Sequence, residues 1–548
     1  MTLASSLVSE VKEWIALDPD PRTAEQLRKW LEEENEIELR KSFSGFLQFG
    51  TAGLRGPVGP GPSCMNRAVV QRTSAGIASY MKKRGLSTIV IGRDARHGSE
   101  DFTEESAQIF TGAGMKVWVL PRPLPTPVLA FAVNELRADV GVMVTASHNP
   151  RQDNGYKVYL GGTVDNLRYA GSQIVPPADI EIAKEIALIN STQPKGTGWN
   201  ILNDDVFTEY VKTTSALARI RGDIKVVYSA MHGVGTETFL ATFKAAGFSD
   251  PILVSEQAQP DPDFPTVMFP NPEEPGAIDL SLKLAAEVNA DIVIANDPDA
   301  DRCAVAIHDP NKGWHMLRGD EVGAILAHYI ATTMKESCAG KSFANSIVSS
   351  SILGKIARVH GIEFHETLTG FKWLAKVENL RFGYEEALGY AVDALSVNDK
   401  DGISAGLLIA QCAAELKNQG QTLAGYLSDI WKRYGYHGTE QISIRVKNIT
   451  DVDAVLARVR ANHPKALAGK MITKFEDLSL PNGKLPPTNA ITMWFGESTR
   501  VIIRPSGTEA KLKCYIEVSN TGGSPDDIRE VNELVELLKI ELLEILTV

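Results

Sequence analysis

Short apolar runs alternate with helical stretches along most of this chain. Between residues 88 and 348, runs rich in valine, isoleucine and alanine are bounded by polar or glycine-containing segments, a pattern typical of buried strands. The predicted strands cover residues 88–91, 116–120, 140–144, 225–228, 252–254, 291–295 and 346–348. Strands that alternate with helices indicate βαβ units and largely parallel sheets, so the pattern predicts an α/β fold.

The two ends of the chain have different patterns. Residues 4–40 carry apolar residues at helical spacing, and a proline-containing break divides them into two predicted helices. Near the other end, residues 441–446 and 511–518 alternate like antiparallel strands, and residues 526–546 predict a helix with an apolar stripe. A smaller α+β domain is therefore predicted to close the chain. Candidate domain boundaries lie near residues 203–207, 314–320 and 434–441.

Composition narrows the class of protein. With 548 residues, 43% of them apolar and 23% charged, the chain has the balance of a globular protein of several domains. Its net charge of −12, without a long basic block, argues against a nucleic-acid partner. The five scattered cysteines show no CxxC spacing, which argues against disulfides and zinc and fits a reducing cytosol. No apolar run has membrane length and the first residues lack a signal-peptide pattern, so we expect a cytoplasmic protein without a membrane partner.

A serine-containing loop follows the predicted strand 140–144. Ser147 and His148 stand at the carboxyl end of this strand, where open α/β sheets hold their active sites. Lys157, on the returning apolar run, supplies a cation that could polarise or deprotonate a serine hydroxyl. His148 beside a serine resembles half of a hydrolase triad, but the G-x-S-x-G elbow of such enzymes is missing. The alternative is that Ser147 only caps a helix or forms a turn.

A loop with three carboxylates follows the predicted strand 291–295. Asp297, Asp299 and Asp301 occupy alternating positions and would repel one another strongly unless a cation neutralised them. The spacing resembles the opening of an EF-hand, but Arg302 stands at position six and His308 at position twelve, where that motif needs glycine and glutamate. A few oxygen ligands favour Mg²⁺, and an adjacent arginine can hold a phosphate oxygen. The alternative is a solvated acidic turn.

Three further loops carry residues that suit a phosphorylated sugar. Glu385 and Glu386 lie in a glycine- and aromatic-rich loop, and paired carboxylates accept hydrogen bonds from sugar hydroxyls, although adjacent glutamates are also common on surfaces. Residues 504–509 offer an arginine, two hydroxyl side chains and a glycine, which make either an anion-binding nest or an ordinary hairpin loop. Residues 367–372 are a candidate with the same ambiguity.

Taken in order along the chain, these loops resemble those of the α-D-phosphohexomutase superfamily. The match runs from residue 51 to residue 508, and the stretches 50–56, 152–157 and 297–302 are similar to those of the phosphoglucomutase-2 (phosphopentomutase) subgroup. The resemblance implies four domains around a central cleft, three related α/β domains with mixed sheets and a smaller C-terminal α+β domain. The implied domains are residues 1–205 with the phosphoserine loop, 206–316 with the metal loop, 317–437 with the sugar loop and 438–548 with the phosphate loop.

The resemblance also implies a role for each loop. The implied catalytic residues are Arg55, Ser147, His148, Lys157 and Arg302. The implied ligands of Mg²⁺ are Ser147, Asp297, Asp299 and Asp301. The implied substrate-binding residues are Thr51, Arg55, Asp301, Arg302, Thr369, Gly370, Lys372, Glu385, Glu386, Arg504, Ser506, Gly507 and Thr508. In this picture the serine carries a phosphoryl group, the arginines of the first set stabilise it during transfer, the glutamates bind the sugar, and residues 504–508 clamp the phosphate that does not react.

The activity implied by the resemblance is that of a phosphosugar mutase. Phosphate would move between the 1-position and the 6-position of a hexose or the 5-position of a pentose. The route would pass through a phosphoserine and a sugar 1,6-bisphosphate, which also serves as activator, and small-molecule sugar phosphates would be the partners. Two alternatives stay open: a glucose-1,6-bisphosphate synthase, which the same loops would serve, and a catalytically silent scaffold of the same fold.

The chain departs from the glucose-specific members of the superfamily in two loops. Pro298 and Ala300 stand where those enzymes have glycines, and Tyr384 and Ala387 stand where they have glycine and serine. Loss of the serine hydroxyl removes one hydrogen bond to the sugar, about 0.5–1.5 kcal/mol, and the tyrosine is expected to add a ring. These changes leave pentose phosphates open as substrates.

Overall fold

The computed structural model describes residues 3–51, 53–219, 222–446, 449–481, 485–506 and 511–547. The chain divides into two compact units. The first comprises Met1–Met316 and Gly389–Glu415, and the second comprises Leu317–Leu388 and Leu416–Val548. The predicted α/β fold is confirmed, since each unit contains parallel strands connected by helices. Within the described part of the chain, every helix is too short or too polar to cross a membrane.

The first unit begins with helices α1 (Ser5–Leu17), α2 (Pro21–Glu32) and α3 (Glu36–Ser42). The prediction of two helices in this stretch is therefore incomplete. The third helix forms because the side chain of Asn35 caps it, accepting a hydrogen bond from the backbone N–H of Glu38 at 3.3 Å. Leucine and valine side chains of the three helices share a small buried cluster, which stabilises them together.

A mixed sheet follows these helices in the first unit. Its strands and a short hairpin are β1 (Leu54–Pro57), β2 (Thr88–Arg93), β3 (Lys116–Val119), β4 (Val140–Val144), β5 (Asp153–Leu160), β6 (Thr163–Val164), β7 (Leu167–Arg168), β8 (Ser172–Gln173) and β9 (Asn200–Ile201). The helices of this part are α4 (Arg67–Lys83), α5 (Ser99–Gly112), α6 (Thr126–Glu135), α7 (Ala178–Leu188) and α8 (Asp205–Ser215). The strand order is β1-β5-β4-β2-β3-β9, with β8 beside β5. Since β2 and β4 are parallel, their carboxyl ends lie at the same edge of the sheet.

A second sheet completes the first unit. Its strands are β10 (Val226–Ser229), β11 (Ile252–Leu253), β12 (Ile292–Ala295), β13 (Ala304–Asp309) and β14 (Gly313–Met316), and its helices are α9 (Gly235–Ala246) and α10 (Asp279–Val288). The order is β11-β10-β12-β13-β14, with the first three strands parallel and the last two antiparallel. The turn between β12 and β13 contains the three aspartates, so the metal loop is held by paired strands on both sides.

The second unit has its own parallel strands. The elements that follow β14 are α11 (Gly319–Thr333), β15 (Ser342–Ser346), α12 (Ile352–Val359), β16 (Glu363–Thr367), α13 (Phe371–Leu374), β17 (Leu380–Glu385), β18 (Gly389–Ala391), α14 (Gly402–Asn418) and α15 (Leu423–Tyr434). Of these, β18 and most of α14 belong to the first unit. Strand β15 lies between β16 and β17 and is parallel to both. The strand predicted at 346–348 is misplaced, because Ile347 and Val348 bury their side chains against Leu368, Ile502 and Tyr515 after the strand has ended.

An antiparallel sheet closes the second unit, as the alternating pattern predicted. The remaining elements are β19 (His437–Arg445), α16 (Ile449–Ala461), β20 (Ala466–Leu467), β21 (Lys470–Met471), β22 (Lys474–Asp477), β23 (Ile491–Phe495), β24 (Thr499–Pro505), β25 (Lys511–Ser519) and α17 (Pro525–Leu546). The sheet order is β19-β25-β24-β23-β22. Helix α17 buries Val531, Val535, Leu538 and Leu542 in the core beneath this sheet. The division into four domains stays a prediction.

Candidate active site

The serine loop leaves β4 in a backbone conformation that is uncommon for a residue with a side chain. Ser147 has a φ of 53° and is only 3% exposed. Its N–H donates to Thr145 Oγ1 at 2.9 Å, and its own Oγ donates to Asp297 Oδ2 at 2.7 Å. The hydroxyl of Ser147 is therefore bound to the aspartate loop and does not cap a helix. Such strained conformations are concentrated at functional sites.

The three aspartates predicted to bind a metal lie together and are buried. Asp297, Asp299 and Asp301 can each offer an oxygen atom, with these atoms within 4.8 Å of one another. Asp299 Oδ1 and Asp301 Oδ1 are buried without a hydrogen-bond partner. Buried carboxylate oxygens without partners are costly unless a cation binds them. A buried set of oxygen donors fits a site for a divalent cation and contradicts the alternative of a solvated acidic turn.

Two lysines and a threonine surround the aspartates. Lys157 Nζ donates to Asp299 Oδ2 at 2.7 Å and to Asp301 Oδ2 at 2.8 Å, so this lysine contacts the aspartate cluster, and its catalytic role stays a prediction. Lys400 Nζ lies 3.4 Å from Asp301 Oδ2. Thr126 Oγ1 donates to Asp299 Oδ2 at 2.5 Å, and Thr126 N–H donates to the Asp299 carbonyl at 2.9 Å. The sequence analysis missed Thr126 and Lys400, because each lies far from the aspartates along the chain.

The charges in this cluster shift one another's pKa values. Burial, together with repulsion from its two neighbours, raises the pKa of Asp297 well above its usual range. Burial also opposes ionisation of Asp299, but Lys157 outweighs it and holds the pKa of Asp299 below its usual value. Burial favours the neutral amine of Lys157, yet Asp299 and Asp301 outweigh burial and raise the pKa of this lysine. The aspartates are therefore not equivalent: one is hard to ionise and one is held as a carboxylate.

Arg302 and His148 extend the site beyond the aspartates. The N–H of Arg302 donates to Asp297 Oδ1 at 3.0 Å, and its guanidinium lies 3.4 Å from Glu273 Oε2 and 3.5 Å from His148 Nε2. His148 Nδ1 is 3.3 Å from Ser147 Oγ. Arg302 Nε is buried without a hydrogen-bond partner, so this donor is available to an anion. His148 thus lies beside the serine, and Arg302 lies beside His148 and Asp297; their catalytic roles stay predictions.

Thr51 and Arg55 flank a glycine turn that contacts the strand returning from the serine loop. Gly53 has a φ of 76°, and a Cβ there would lie 1.8 Å from the carbonyl oxygen of Tyr156. Only glycine therefore allows β1 to pair with β5 at this point. The pairing brings Arg55 Nη1 to 3.0 Å from Asn149 Oδ1, in the serine loop. The half-buried guanidinium of Arg55 thus belongs to the same site.

The predicted sugar-binding residues lie in the second unit. Glu385 is 9% exposed, and its Oε1 accepts a hydrogen bond from the N–H of Gly370 at 2.6 Å. The structure thus brings the glutamate loop to Gly370, which follows Thr369 and precedes helix α13, where Lys372 lies. Glu386 Oε2 accepts hydrogen bonds from Ser349 Oγ at 2.9 Å and from Ser346 Oγ at 3.2 Å. The two loops are therefore one local cluster.

The expectation that Tyr384 adds a ring to the sugar-binding surface is wrong. The residue is fully buried, and its hydroxyl donates to Asp320 Oδ1 at 3.1 Å. Its ring lies against Gly323 of α11, where a side chain would collide with it. Tyr384 and Glu385 are consecutive residues of β17, so their side chains lie on opposite faces of the sheet. Tyr384 therefore packs against α11 in the protein interior and not on an exposed surface.

The predicted phosphate-binding residues Arg504 and Ser506 lie where β24 ends. Both are half-buried, and the N–H of Ser506 donates to the Lys511 carbonyl at 2.8 Å across the base of the hairpin. The predicted residues Gly507 and Thr508 lie outside the described residues. Burial and the nearby Glu386 and Glu385 raise the pKa of Tyr515, whereas a hydrogen bond with Arg504 acts to lower it. Tyr515, which the sequence analysis missed, thus interacts with both the arginine and the glutamates.

A buried ion pair ties this hairpin to the serine residues under the glutamate loop. Arg500 Nε lies 2.7 Å from Glu517 Oε2, and Arg500 also donates to the Ser349 carbonyl.

Replacement of Arg500 by methionine should lower the free energy of unfolding by about 3–5 kcal/mol, because the buried carboxylate of Glu517 loses the arginine that pairs with it. The shift of the urea midpoint measures this loss. Arg529→Met, at a side chain 63% exposed, is the control and should change stability by less than about 0.5 kcal/mol. Equal losses of stability in the two variants would contradict a stabilising role of the Arg500–Glu517 ion pair.

Three family models match consecutive stretches of the chain. They are described as phosphoglucomutase/phosphomannomutase, alpha/beta/alpha domains I, II and III, and they match residues 47–185, 205–312 and 318–434. The chain belongs to the phosphoglucomutase/phosphomannomutase family. The serine loop lies in the match to domain I, the aspartate loop in domain II and the glutamate loop in domain III.

Individual relatives agree with this membership. The chain is 43% identical over 475 residues to "Probable phosphomannomutase" of Haemophilus influenzae, with 85% of this chain and 95% of the relative covered. It is 35% identical over 598 residues to "Phosphopentomutase" of Homo sapiens, with 97% and 95% covered. A solved phosphoglucomutase structure from Paramecium, in its open form, has a TM-score of 0.69 at 17% identity over 92% of this chain and 95% of that one, and it supports the fold alone.

This family member is a phosphosugar mutase, an enzyme that transfers a phosphoryl group within a sugar phosphate. The superfamily, the fold class and the mutase activity predicted from the loops are thereby confirmed. The buried aspartates form a cluster that could hold a metal ion, in keeping with the family. The synthase alternative is not favoured over the mutase.

Proposed function

We propose that this mutase moves phosphate between the 1-position and the 6-position of a hexose, or the 5-position of a pentose, through phosphorylated Ser147 and a sugar bisphosphate. The observation that carries the proposal is the buried Ser147 hydroxyl, 2.7 Å from Asp297 in a cluster of three buried aspartates. A serine hydroxyl held against a cation site is placed to receive and return a phosphoryl group. If Ser147 only formed a turn, its hydroxyl would not have to lie beside three buried aspartates.

In the first half of the reaction, the phosphoryl group leaves Ser147 for the free hydroxyl of a sugar monophosphate. The bond between phosphorus and Ser147 Oγ breaks, a bond to the sugar oxygen forms, and the hydroxyl proton ends on Oγ. Lys157, which the site places beside the aspartates, is the proposed carrier of that proton. Arg55 and Arg302 stabilise the negative charge of the group in transit, and His148 Nδ1 lies 3.3 Å from the Oγ of the serine.

The metal of this site is proposed to be Mg²⁺. Its ligands would be Asp297, Asp299, Asp301 and an oxygen on Ser147. Each of the three aspartates can offer an oxygen within 4.8 Å of the other two, and oxygen donors are the ligands that Mg²⁺ prefers. When bound, Mg²⁺ neutralises charge on the transferring phosphoryl group.

The residues of the second unit are proposed to bind the substrate. Glu385 and Glu386 accept hydrogen bonds from the sugar hydroxyls, helped by Thr369, Gly370 and Lys372. The other phosphate is held by Arg504, Ser506, Gly507 and Thr508. Thr51 and Asp301 complete the proposed contacts. Because the bisphosphate must return its other phosphate to the same serine, the clamp has to accept either end of the intermediate, and free bisphosphate serves as activator.

An assay of the purified protein tests this function. Glucose 1-phosphate and ribose 1-phosphate are supplied separately with Mg²⁺ and a trace of the matching sugar bisphosphate, and formation of the 6- or 5-phosphate is followed. Turnover of at least one of them is expected. If neither reacts although the protein is folded, the proposed activity is wrong. Phosphate on Ser147 in the isolated protein would exclude the silent scaffold, and faster rephosphorylation of Ser147 by an acyl phosphate than by sugar bisphosphate would favour the synthase.

We expect the residue at position 387 to influence which sugar phosphate the enzyme prefers. This half-buried residue follows Glu386 directly, and a serine there would restore one hydroxyl near the sugar. We expect ribose 1-phosphate to be used at least comparably to glucose 1-phosphate, and Ala387→Ser to improve the use of glucose by about tenfold or less. The measurement is the ratio of kcat/KM for the two sugars. Ala113→Ser, at the half-buried end of α5, is the matched control and should leave the ratio unchanged. A wild-type ratio that favours glucose by several orders of magnitude would contradict this expectation.

The remaining expectations from composition stay predictions. They are a cytoplasmic location and the absence of nucleic-acid and membrane partners.

A further inference from the structure

Arg96 is a buried arginine whose side chain donates hydrogen bonds to backbone carbonyls of the serine loop. It lies in the segment that follows β2, and the residue is 4% exposed. Its two terminal nitrogens donate to four carbonyl oxygens: Nη1 to Pro150 at 2.8 Å and Asp153 at 3.1 Å, and Nη2 to Ser147 at 2.5 Å and Asn149 at 2.6 Å. One guanidinium thus binds most of the turn that connects β4 to β5.

We propose that Arg96 is a positioning residue for phosphoryl transfer, which holds Ser147 in its left-handed conformation. The proposal rests on the proposed function of Ser147 as the phosphoryl carrier. In the free chain, a residue with a side chain disfavours the φ of 53° that Ser147 adopts. Four carbonyl dipoles that converge on one point also repel one another unless a cation with several donors lies between them. The planar fork of an arginine has enough donors for this geometry, and a lysine ammonium has at most three.

Asp94 couples Arg96 to the other side of the serine. Asp94 Oδ1 accepts a hydrogen bond from the N–H of Arg96 at 3.0 Å, and Arg96 Nε lies 3.4 Å from Asp94 Oδ2. The same Oδ2 accepts from Thr145 Oγ1 at 2.6 Å, and that hydroxyl in turn accepts from the N–H of Ser147 at 2.9 Å. The N–H of Ser147 is therefore held by Thr145, and its carbonyl is held by Arg96. The buried carboxylate of Asp94 contacts both Thr145 and Arg96.

The consequence concerns the hydroxyl of Ser147. With both flanking peptide groups fixed, the Oγ stays 2.7 Å from Asp297 Oδ2. If the carbonyl side were released, the serine could relax toward ordinary backbone angles and the Oγ would move away from the aspartates. Such a displacement of about 1 Å typically lowers a reaction rate by roughly 10²-fold. Because Arg96 contacts the backbone and leaves sugar binding to other residues, the loss should appear in kcat and not in KM.

The test compares Arg96→Lys with Arg72→Lys. Arg72 is a matched control, because it also donates to backbone carbonyls, those of Ile186 at 3.0 Å and Ala187 at 3.3 Å, but these lie at the end of α7. The measurements are kcat, KM for the sugar 1-phosphate, melting temperature, and the single-turnover rate of phosphate transfer from phosphorylated Ser147 to sugar. We expect Arg96→Lys to lower kcat and the single-turnover rate roughly 10²-fold with KM changed less than about threefold. Arg72→Lys should keep kcat within about twofold, since a substitution outside the site affects stability alone.

A second variant separates positioning from a general loss of folding. Arg96→Ala leaves space for a guanidinium ion, so millimolar guanidinium should raise its kcat in a saturable way, whereas Arg72→Ala should not respond. Equal kcat for the two lysine variants would overturn the proposal. Loss of kcat in parallel with melting temperature, without rescue by guanidinium, would also overturn it. A wild-type enzyme without turnover and without phosphate on Ser147 would refute the proposed function instead, so the two failures are distinguishable.

Discussion

Turnover of the sugar 1-phosphate is expected to fall on the order of 10⁵-fold when Ser147 is replaced by alanine, because the group that carries the phosphoryl is removed. The side chain of Ser147 is buried and directed at Asp297, so water or a neighbouring residue cannot easily take its place. The measurement is kcat with saturating sugar phosphate, Mg²⁺ and bisphosphate. Mass spectrometry of the peptide that contains residue 147 should show a phosphate on the wild type and none on the variant.

Ser106→Ala is the control for this experiment. Ser106 is also fully buried and hydrogen-bonded, with its Oγ donating to the Phe102 carbonyl at 2.6 Å, but it lies within helix α5. This variant should lose some stability and keep both the phosphate on Ser147 and kcat within about threefold. If Ser147→Ala retained turnover above one per cent of wild type, the phosphoserine route would be untenable.

Removal of the metal is expected to have the second largest effect. After exhaustive chelation, kcat should fall by about 10³-fold or more and should return when Mg²⁺ is added, because charge on the transferring group is then no longer neutralised. The variant Asp297→Asn, which keeps the shape of the side chain but cannot offer a carboxylate to a cation, should show a similar loss that added Mg²⁺ does not restore. Mg²⁺ should also raise the melting temperature of the chelated wild type, since a ligand that binds only the folded state stabilises it.

Asp179→Asn is the matched control for the metal experiment. Asp179 is buried like Asp297 but lies in the first turn of α7. It should keep both the activation by Mg²⁺ and the rise in melting temperature. Full activity of the chelated wild type, together with no change of its melting temperature on addition of Mg²⁺, would mean that the three aspartates do not bind this cation.

The sequence predicted the parts of the fold and the site that depend on local pattern. Most predicted strands appear within two residues of their expected ends, and the serine and aspartate loops follow β4 and β12 as expected. Such features are visible locally because an apolar run and the loop behind it are contiguous. The strand expected at 346–348 is the exception, since Ile347 and Val348 are apolar for a different reason: they pack against the C-terminal sheet.

The sequence could not reveal contacts between distant segments. Thr126 and Lys400 reach the aspartates from segments more than 90 residues away, and Arg96 reaches the serine loop from the end of another strand. None of these residues stands in a motif that marks it. Tyr384 was misjudged because position in a loop was taken as exposure, whereas the alternation along β17 turns its ring inward.

The contacts that hold the aspartates and those that hold Glu386 are made by separate parts of the chain. The side chains that hold the three aspartates, namely Ser147, Thr126, Lys157 and Lys400, belong to the first unit, and the serines that hold Glu386 belong to the second. A substitution among the proposed sugar contacts of the second unit therefore removes none of these side chains around the aspartates. Over evolutionary time, a lineage with this architecture can acquire a new sugar preference by a few substitutions while it inherits the chemistry unchanged.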